Sequence, residues 1–336
     1  MTCAFITVTD RSFFAGTVAT VNSVIHFHPD TPIYVVHNEK NPLTATQIDQ
    51  LSAGATVRVL NSEAFNRRDR YINAWELKAH AAADLSADCD VIIGIDSDCV
   101  LCSGVDEEIN HARAHGSFLG GRDGDGVDYS PDYEVYGMKT PARNSRYMST
   151  SLYFCAATPT NRKILSRWSD CCNAAVFNGR GPYPGHGDQG VLNAVLFAGN
   201  RSQNVELLPN ALWSQHWVFW DTSLRFEGGR FVNESMENLP QRAFHCGGAE
   251  KFWSREHRDR LTRTEGRAWP YIWFLALYGF GACRPRTHSP EPSENAHLAR
   301  DLSLFLPQIF NIYPEARVIW DEVRPVADAI SLHGNE

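Results

Sequence analysis

The residues with the sharpest chemical potential are Asp96, Ser97 and Asp98, which directly follow the apolar run VIIGI. Two carboxylates one residue apart at the end of a buried strand can aim their oxygens at one hard cation. Mg2+ and Mn2+ take such ligands and complete their shells with water and phosphate oxygens. The bland alternative is a solvated acidic turn, and this short motif does not choose by itself. A second cluster, HCGGAEKFW at 245–253, combines His245, a glycine pair and Lys251. It can offer a neutral imidazole ligand, a backbone close to a phosphate and a cation for that phosphate. As a plain turn it would hold a packed histidine and a surface lysine. A third, GHGDQGVLN at 185–193, runs from a glycine loop into a helix whose first turn carries Asp188 and Gln189. Asp188 there fits a helix N-cap. It equally fits a polar group presented, with Gln189, at the mouth of a sheet.

Such residues need elements to position them. Short apolar runs at 3–8, 32–37, 56–60, 91–95 and 117–120 read as strands, and the stretches 14–27, 44–51 and 75–85 between them read as helices. Thr44 is placed to cap the second of these helices. Strands alternating with amphipathic helices predict an α/β fold, a parallel sheet covered on both faces. Ligands of such sheets bind at the carboxyl ends of the strands, which singles out Thr9, Asp10 and the residues after Ile95. Farther on, 147–157 reads as a strand, and 161–175 and 188–197 read as helices. The polar stretch 122–146 is a long excursion of the functional or mobile kind. Residues 178–187 form a Gly/Pro loop, 284–295 a linker, and the last forty residues a mostly helical tail.

Composition narrows the classes. The chain has 336 residues, 43% of them hydrophobic and 21% charged, which is globular rather than disordered. Its net charge of -8 argues against a general nucleic-acid binder. No run approaches the ~20 apolar residues of a membrane helix. Nine scattered cysteines fit reduced thiols rather than a disulfide scaffold. The first residues lack a basic lead followed by a long apolar run, so a cytoplasmic protein is expected. The stretch 254–274 is rich in Arg and then aromatic. It reads first as a surface helix with paired charges followed by a packed aromatic helix. Its second reading is a peripheral contact with the inner face of a membrane.

Taken together, these segments resemble the GT-A fold glycosyltransferases, closest to the family 8 type that includes bacterial lipopolysaccharide galactosyl- and glucosyltransferases and the glycogenins. Four segments match in the family's order: FITVTDRSFFAGTVATVNSV, DCDVIIGIDSDCVL, GDQGVLN and HCGGAEKFW, spanning residues 3 to 253. The resemblance implies a Rossmann-like, mainly parallel sheet flanked by helices. It implies a catalytic domain at 1–253 and a mostly helical C-terminal extension at 254–336. Asp96, Asp98 and His245 would hold Mn2+ or Mg2+, with Ser97 between the two carboxylates at the donor. Thr9 and Asp10 would contact base and ribose, Gly248 and Lys251 the diphosphate, and Lys78 donor phosphate or sugar. Asp188 would bind donor-sugar hydroxyls, and Gln189 would sit near the reacting carbon.

The implied activity is metal-dependent transfer of a hexose from a nucleotide sugar, a UDP-sugar first, to a hydroxyl of a glycan, lipid-linked or protein acceptor. Retention of anomeric configuration is expected. The GDQ segment offers no Asp or Glu nucleophile, so front-face substitution is preferred to a covalent intermediate. Three departures bear on the donor sugar rather than the reaction class. Phe252 stands for the usual Pro, Ser149-Thr150-Ser151 for Asn-x-Gly, and Gly190 for an acidic residue. Two other readings compete: a nucleotidyltransferase that makes nucleotide sugars, and a non-catalytic relative that binds them. The first lacks its Gly-rich basic loop, and the second has no need of the complete set of site residues.

Overall fold

The computed structural model describes residues 2–38, 40–61, 74–123, 146–177, 187–197, 204–209, 213, 215–216, 224–246, 251, 276–277 and 306–312, with isolated positions up to 324. The first half alternates as its apolar pattern predicts: β1 (Cys3–Thr9), α1 (Phe14–Phe27), β2 (Ile33–His37), α2 (Ala45–Leu51), β3 (Val57–Asn61), α3 (Ala74–Leu85) and β4 (Val91–Ile95). Thr44 caps α2 with a full capping box, its hydroxyl accepting from Gln47 N–H and the Gln47 side chain accepting from Thr44 N–H. After β4 come β5 (Cys99–Leu101), α4 (Asp106–His115), β6 (Phe118–Arg122), β7 (Met148–Ala156), α5 (Pro159–Phe177) and α6 (Asp188–Phe197). Then follow β8 (Val205–Leu208), β9 (Gln215–His216), β10 (Leu224–Glu227), β11 (Arg230–Asn233), β12 (Leu239–Pro240), β13 (Ala243–His245) and α7 (Leu306–Ile312). The predicted loops at 122–146 and 178–187, the Arg/aromatic stretch and the linker lie almost wholly outside the described residues.

Seven strands form the central sheet in the order β3-β2-β1-β4-β7-β6-β8. It is mainly parallel, with one exception. β7 runs antiparallel to both β4 and β6, so the sheet is mainly parallel, as the family resemblance implies, with one reversed strand. The residues of β7 do not show its direction, because a strand buried along its whole length reads the same either way. Two three-stranded sheets, β10-β11-β12 and β5-β13-β9, complete the described topology.

The central strands β1, β4 and β7 are buried because both faces of the sheet are covered. Along β4, Val91, Ile93 and Ile95 enter one core and Ile92 the other. β1 divides the same way, with Phe5 on one side and Ala4, Ile6 and Val8 on the other. α1 closes the first face with Phe14, Val18, Val21 and Val24, while α3, α5 and α6 close the second with Leu77, Leu165, Trp168, Val191 and Leu192. Leu306, Ile309, Ala316 and Trp320 from the C-terminal region join the first core. These C-terminal residues therefore share the apolar interior on one face of the central sheet.

Candidate active site

The site forms at the carboxyl end of β4, where the chain turns into β5. Cys99 N–H donates to Asp96 C=O, which closes that turn around Ser97. Two hydroxyls on the buried face of α1 hold it from below. Thr20 Oγ1 donates to Cys99 C=O at 2.8 Å and to Asp96 C=O at 3.3 Å, and Leu101 N–H donates to Ser23 Oγ at 3.0 Å. Sequence reading missed both. Their signal was two hydroxyls, three residues apart, on an otherwise apolar helix face.

β13 brings His245, the third candidate ligand. It pairs antiparallel with β5 so that His245 lies opposite Cys99, and Cys246 N–H donates to Asp98 C=O at 2.8 Å. His245 Nε2 then stands 3.3 Å from Asp98 Oδ1 and 3.7 Å from Asp96 Oδ2. One ligand atom from each residue lies within 4.8 Å of the others, the only such group among the described residues. Two carboxylate oxygens and an imidazole nitrogen are a donor set that suits Mn2+ or Mg2+.

The outer carboxylate oxygens are held by lysines. Lys78, buried on α3, bonds Asp96 Oδ1, stands 3.4 Å from Asp188 Oδ2 and reaches Thr150 C=O at 3.4 Å. Lys251 bonds Asp98 Oδ2 and donates to Cys246 C=O at 2.7 Å. These charges set the protonation states. Burial would raise the Asp98 carboxyl, but His245 and Lys251 outweigh it and hold Asp98 far below the usual carboxylate range. Burial would lower Lys78, but Asp188 and Asp96 keep it fully charged. For Asp188 burial wins over Lys78, and its carboxyl is raised. His245 is raised as well, because Asp98 and Asp96 overcome its burial.

Asp188 is the first residue of α6 rather than its cap, preceded by Gly187 at a φ of 61°. Trp168 Nε1–H donates to its carbonyl at 3.0 Å. Asp188 Oδ2 is buried and accepts no hydrogen bond among the described residues. Gln189 is engaged on both ends of its amide. Its Oε1 accepts from Thr150 N–H at 3.0 Å, and its Nε2 donates to Asp123 Oδ2 at 2.9 Å. Asn193 pins this helix to β7, donating to Met148 C=O at 2.8 Å and accepting from Met148 N–H at 2.6 Å. Asp123 is a third residue that sequence reading missed.

At the end of β1, Thr9 is buried with its hydroxyl against Thr17 Oγ1 at 2.5 Å. Asp10 caps the short 3-10 helix Arg11–Phe13, accepting from Ser12 N–H at 2.8 Å. Gly248 lies outside the described residues. The structure thus gathers Asp96, Ser97, Asp98, Lys78, Asp188, Gln189, His245 and Lys251 around one strand end.

This architecture, a Rossmann-like sheet with a two-carboxylate turn after β4, is the GT-A fold of glycosyltransferases. The galactosyltransferase LgtC, solved with donor and acceptor sugar analogs, superposes with a TM-score of 0.50 at 16% identity over 79% of this chain and 95% of that one. An active-site mutant of LgtC gives a TM-score of 0.50 at 17% identity over the same shares. No protein-family profile and no curated protein sequence matches the chain.

Proposed function

We propose that this chain is a metal-dependent glycosyltransferase, transferring a hexose from a nucleotide sugar, a UDP-sugar first, to an acceptor hydroxyl with retention of configuration. One observation carries the reading: Asp96 Oδ2, Asp98 Oδ1 and His245 Nε2 converge at the end of β4, beside a cation for phosphate and the buried Asp188 carboxylate. A divalent cation held there supplies positive charge to the leaving diphosphate. Lys251 and Gly248 bind that diphosphate and stabilise the charge that develops on it. Thr9 and Asp10 receive the nucleoside at the end of β1. Asp188 Oδ2 accepts a donor-sugar hydroxyl, and Gln189, braced by Thr150 and Asp123, lines the reacting carbon.

Neither Asp188 nor Gln189 is set up as a nucleophile. Asp188 faces Lys78, and the Gln189 oxygen is already bound to a backbone N–H. Front-face substitution follows, the leaving phosphate taking the acceptor's proton. LgtC was solved with donor and acceptor sugar analogs, which supports a sugar acceptor here. Residues 1–253 form the catalytic unit in this reading, with 254–336 as its extension.

A thermal-shift panel of UDP, GDP, CDP and dTDP, with and without Mn2+, tests the donor class. A shift for UDP that requires Mn2+ is expected, and equal shifts without metal would refute metal dependence. Anomeric NMR of the product from an α-linked donor tests retention, and a β-linked product would refute it.

A further inference from the structure

The two lysines divide the metal carboxylates between them. Lys78 takes Asp96 Oδ1 and leaves Oδ2 facing His245. Lys251 takes Asp98 Oδ2 and leaves Oδ1 facing His245. Lys251 is well seated there, because its ammonium also bonds Cys246 C=O and lies 5.4 Å from the centre of the Phe13 ring. Three carboxylates, Asp96, Asp98 and Asp188, face two ammoniums, which leaves a single net negative charge with His245 neutral. A lone divalent cation would make this cluster positive. A cation arriving with a diphosphate would not, and the diphosphate also gives Lys251 a second anion to turn to.

We propose that Lys251 is the resident counter-ion of Asp98 and makes cation binding conditional on a diphosphate, so that free divalent cation is held weakly and the cation–nucleoside diphosphate pair tightly. The inference rests on the reading of Asp96, Asp98 and His245 as a metal site. Lys251 acts as a positioning residue on Asp98 before the donor arrives and as a phosphate ligand afterwards. Removing it takes away a like charge beside the cation and, with it, the contact to the diphosphate. Free-cation affinity and nucleotide enhancement must therefore move in opposite directions.

The test is Mn2+ titration followed by the EPR signal of free Mn2+, with and without UDP, on the wild type, Lys251→Met and Asp98→Asn. The Mn2+–UDP complex measured without protein is subtracted. Melting by circular dichroism checks that each variant folds, and Lys251→Gln replaces Lys251→Met if the latter does not. Lys251→Met should bind free Mn2+ about tenfold more tightly than wild type, the scale of one like-charge contact screened nearly as in bulk water. The strengthening by UDP should shrink by a similar factor. Unchanged or weaker binding of free Mn2+ by Lys251→Met would overturn the counter-ion role. A different result would overturn the metal site itself: no Mn2+ held by any variant even with UDP, or Asp98→Asn binding as well as wild type.

Discussion

Lys78 Nζ stands 3.4 Å from Asp188 Oδ2, and the same ammonium bonds Asp96. One buried cation on α3 therefore ties the metal turn after β4 to the first turn of α6. Replacing it with an apolar side chain leaves two carboxylates facing each other without compensation. Lys78→Met should lower unfolding free energy by about 3–5 kcal/mol, the usual cost of breaking a buried pair. Urea denaturation at neutral pH measures this, and adding Asp188→Asn should recover part of the loss. A cost under about 1 kcal/mol would contradict the buried-pair reading.

Metal withdrawal gives a second expectation. EDTA should suppress donor turnover by about 100-fold or more, and added Mn2+ should restore it in the wild type. Asp98→Asn should not recover, because it loses the charge that faces both His245 and Lys251. UDP release from a donor panel reads both outcomes.

A pH effect should arise away from the site. His28 is buried, its Nε2 accepting from Val105 N–H at 3.1 Å and its Nδ1 standing 3.6 Å from Asp106. Burial lowers its pKa, against a weaker pull from Asp106 in the other direction. A group depressed in the fold contributes stability above its ordinary value of 6.5 and loses it as pH falls through that range. Melting temperature should therefore drop between about pH 7.5 and about pH 5.5. In His28→Gln, which keeps an acceptor for Val105 N–H, the drop should be smaller. An identical pH profile for the two proteins would exclude His28 as a contributor.

The pairing of Gly94 with Tyr153 across β4 and β7 makes a packing prediction. A Cβ on Gly94 would lie 2.0 Å from Tyr153 Cε1. Gly94→Ala should destabilise by about 1–3 kcal/mol through overpacking, and Tyr153→Val in the same chain should relieve it. Tyr153 Oη is buried without a hydrogen-bond partner among the described residues. Tyr153→Phe should therefore be neutral or stabilising by about 1 kcal/mol. Thermal melts of the three variants decide.

Some of this was readable from residue order and some was not. The strands β1 to β4 and the helices between them announce themselves because each is long enough to show a period and is bounded by turn residues. Thr44 could be placed as a cap because capping depends only on neighbours. The Asp96–Asp98 pair showed its chemistry for the same reason: both ligands sit on one turn. β5 and β13, at three residues each, are too short to carry a pattern, so the pairing that seats His245 opposite Cys99 could not be read. Lys78 entered only through the family resemblance, as a contact for donor phosphate or sugar, and its carboxylate partners were not foreseen. Within AWELKAHAAADL it reads as one more polar helix residue, and only the distant Asp96 and Asp188 explain its burial. The direction of β7 was unreadable because hydrophobicity has no sense along the chain.

The hydrogen bond from Cys246 N–H to Asp98 C=O has a consequence for the order in which the protein is assembled. The two carboxylates belong to the portion synthesised early, and their imidazole partner belongs to a strand made much later. A nascent chain that has built β1 to β4 holds Asp96 and Asp98 with one side of the cation position open. Contacts of such long sequence separation close last. The convergence of Asp96, Asp98 and His245 is thus complete only once β13 has docked on β5.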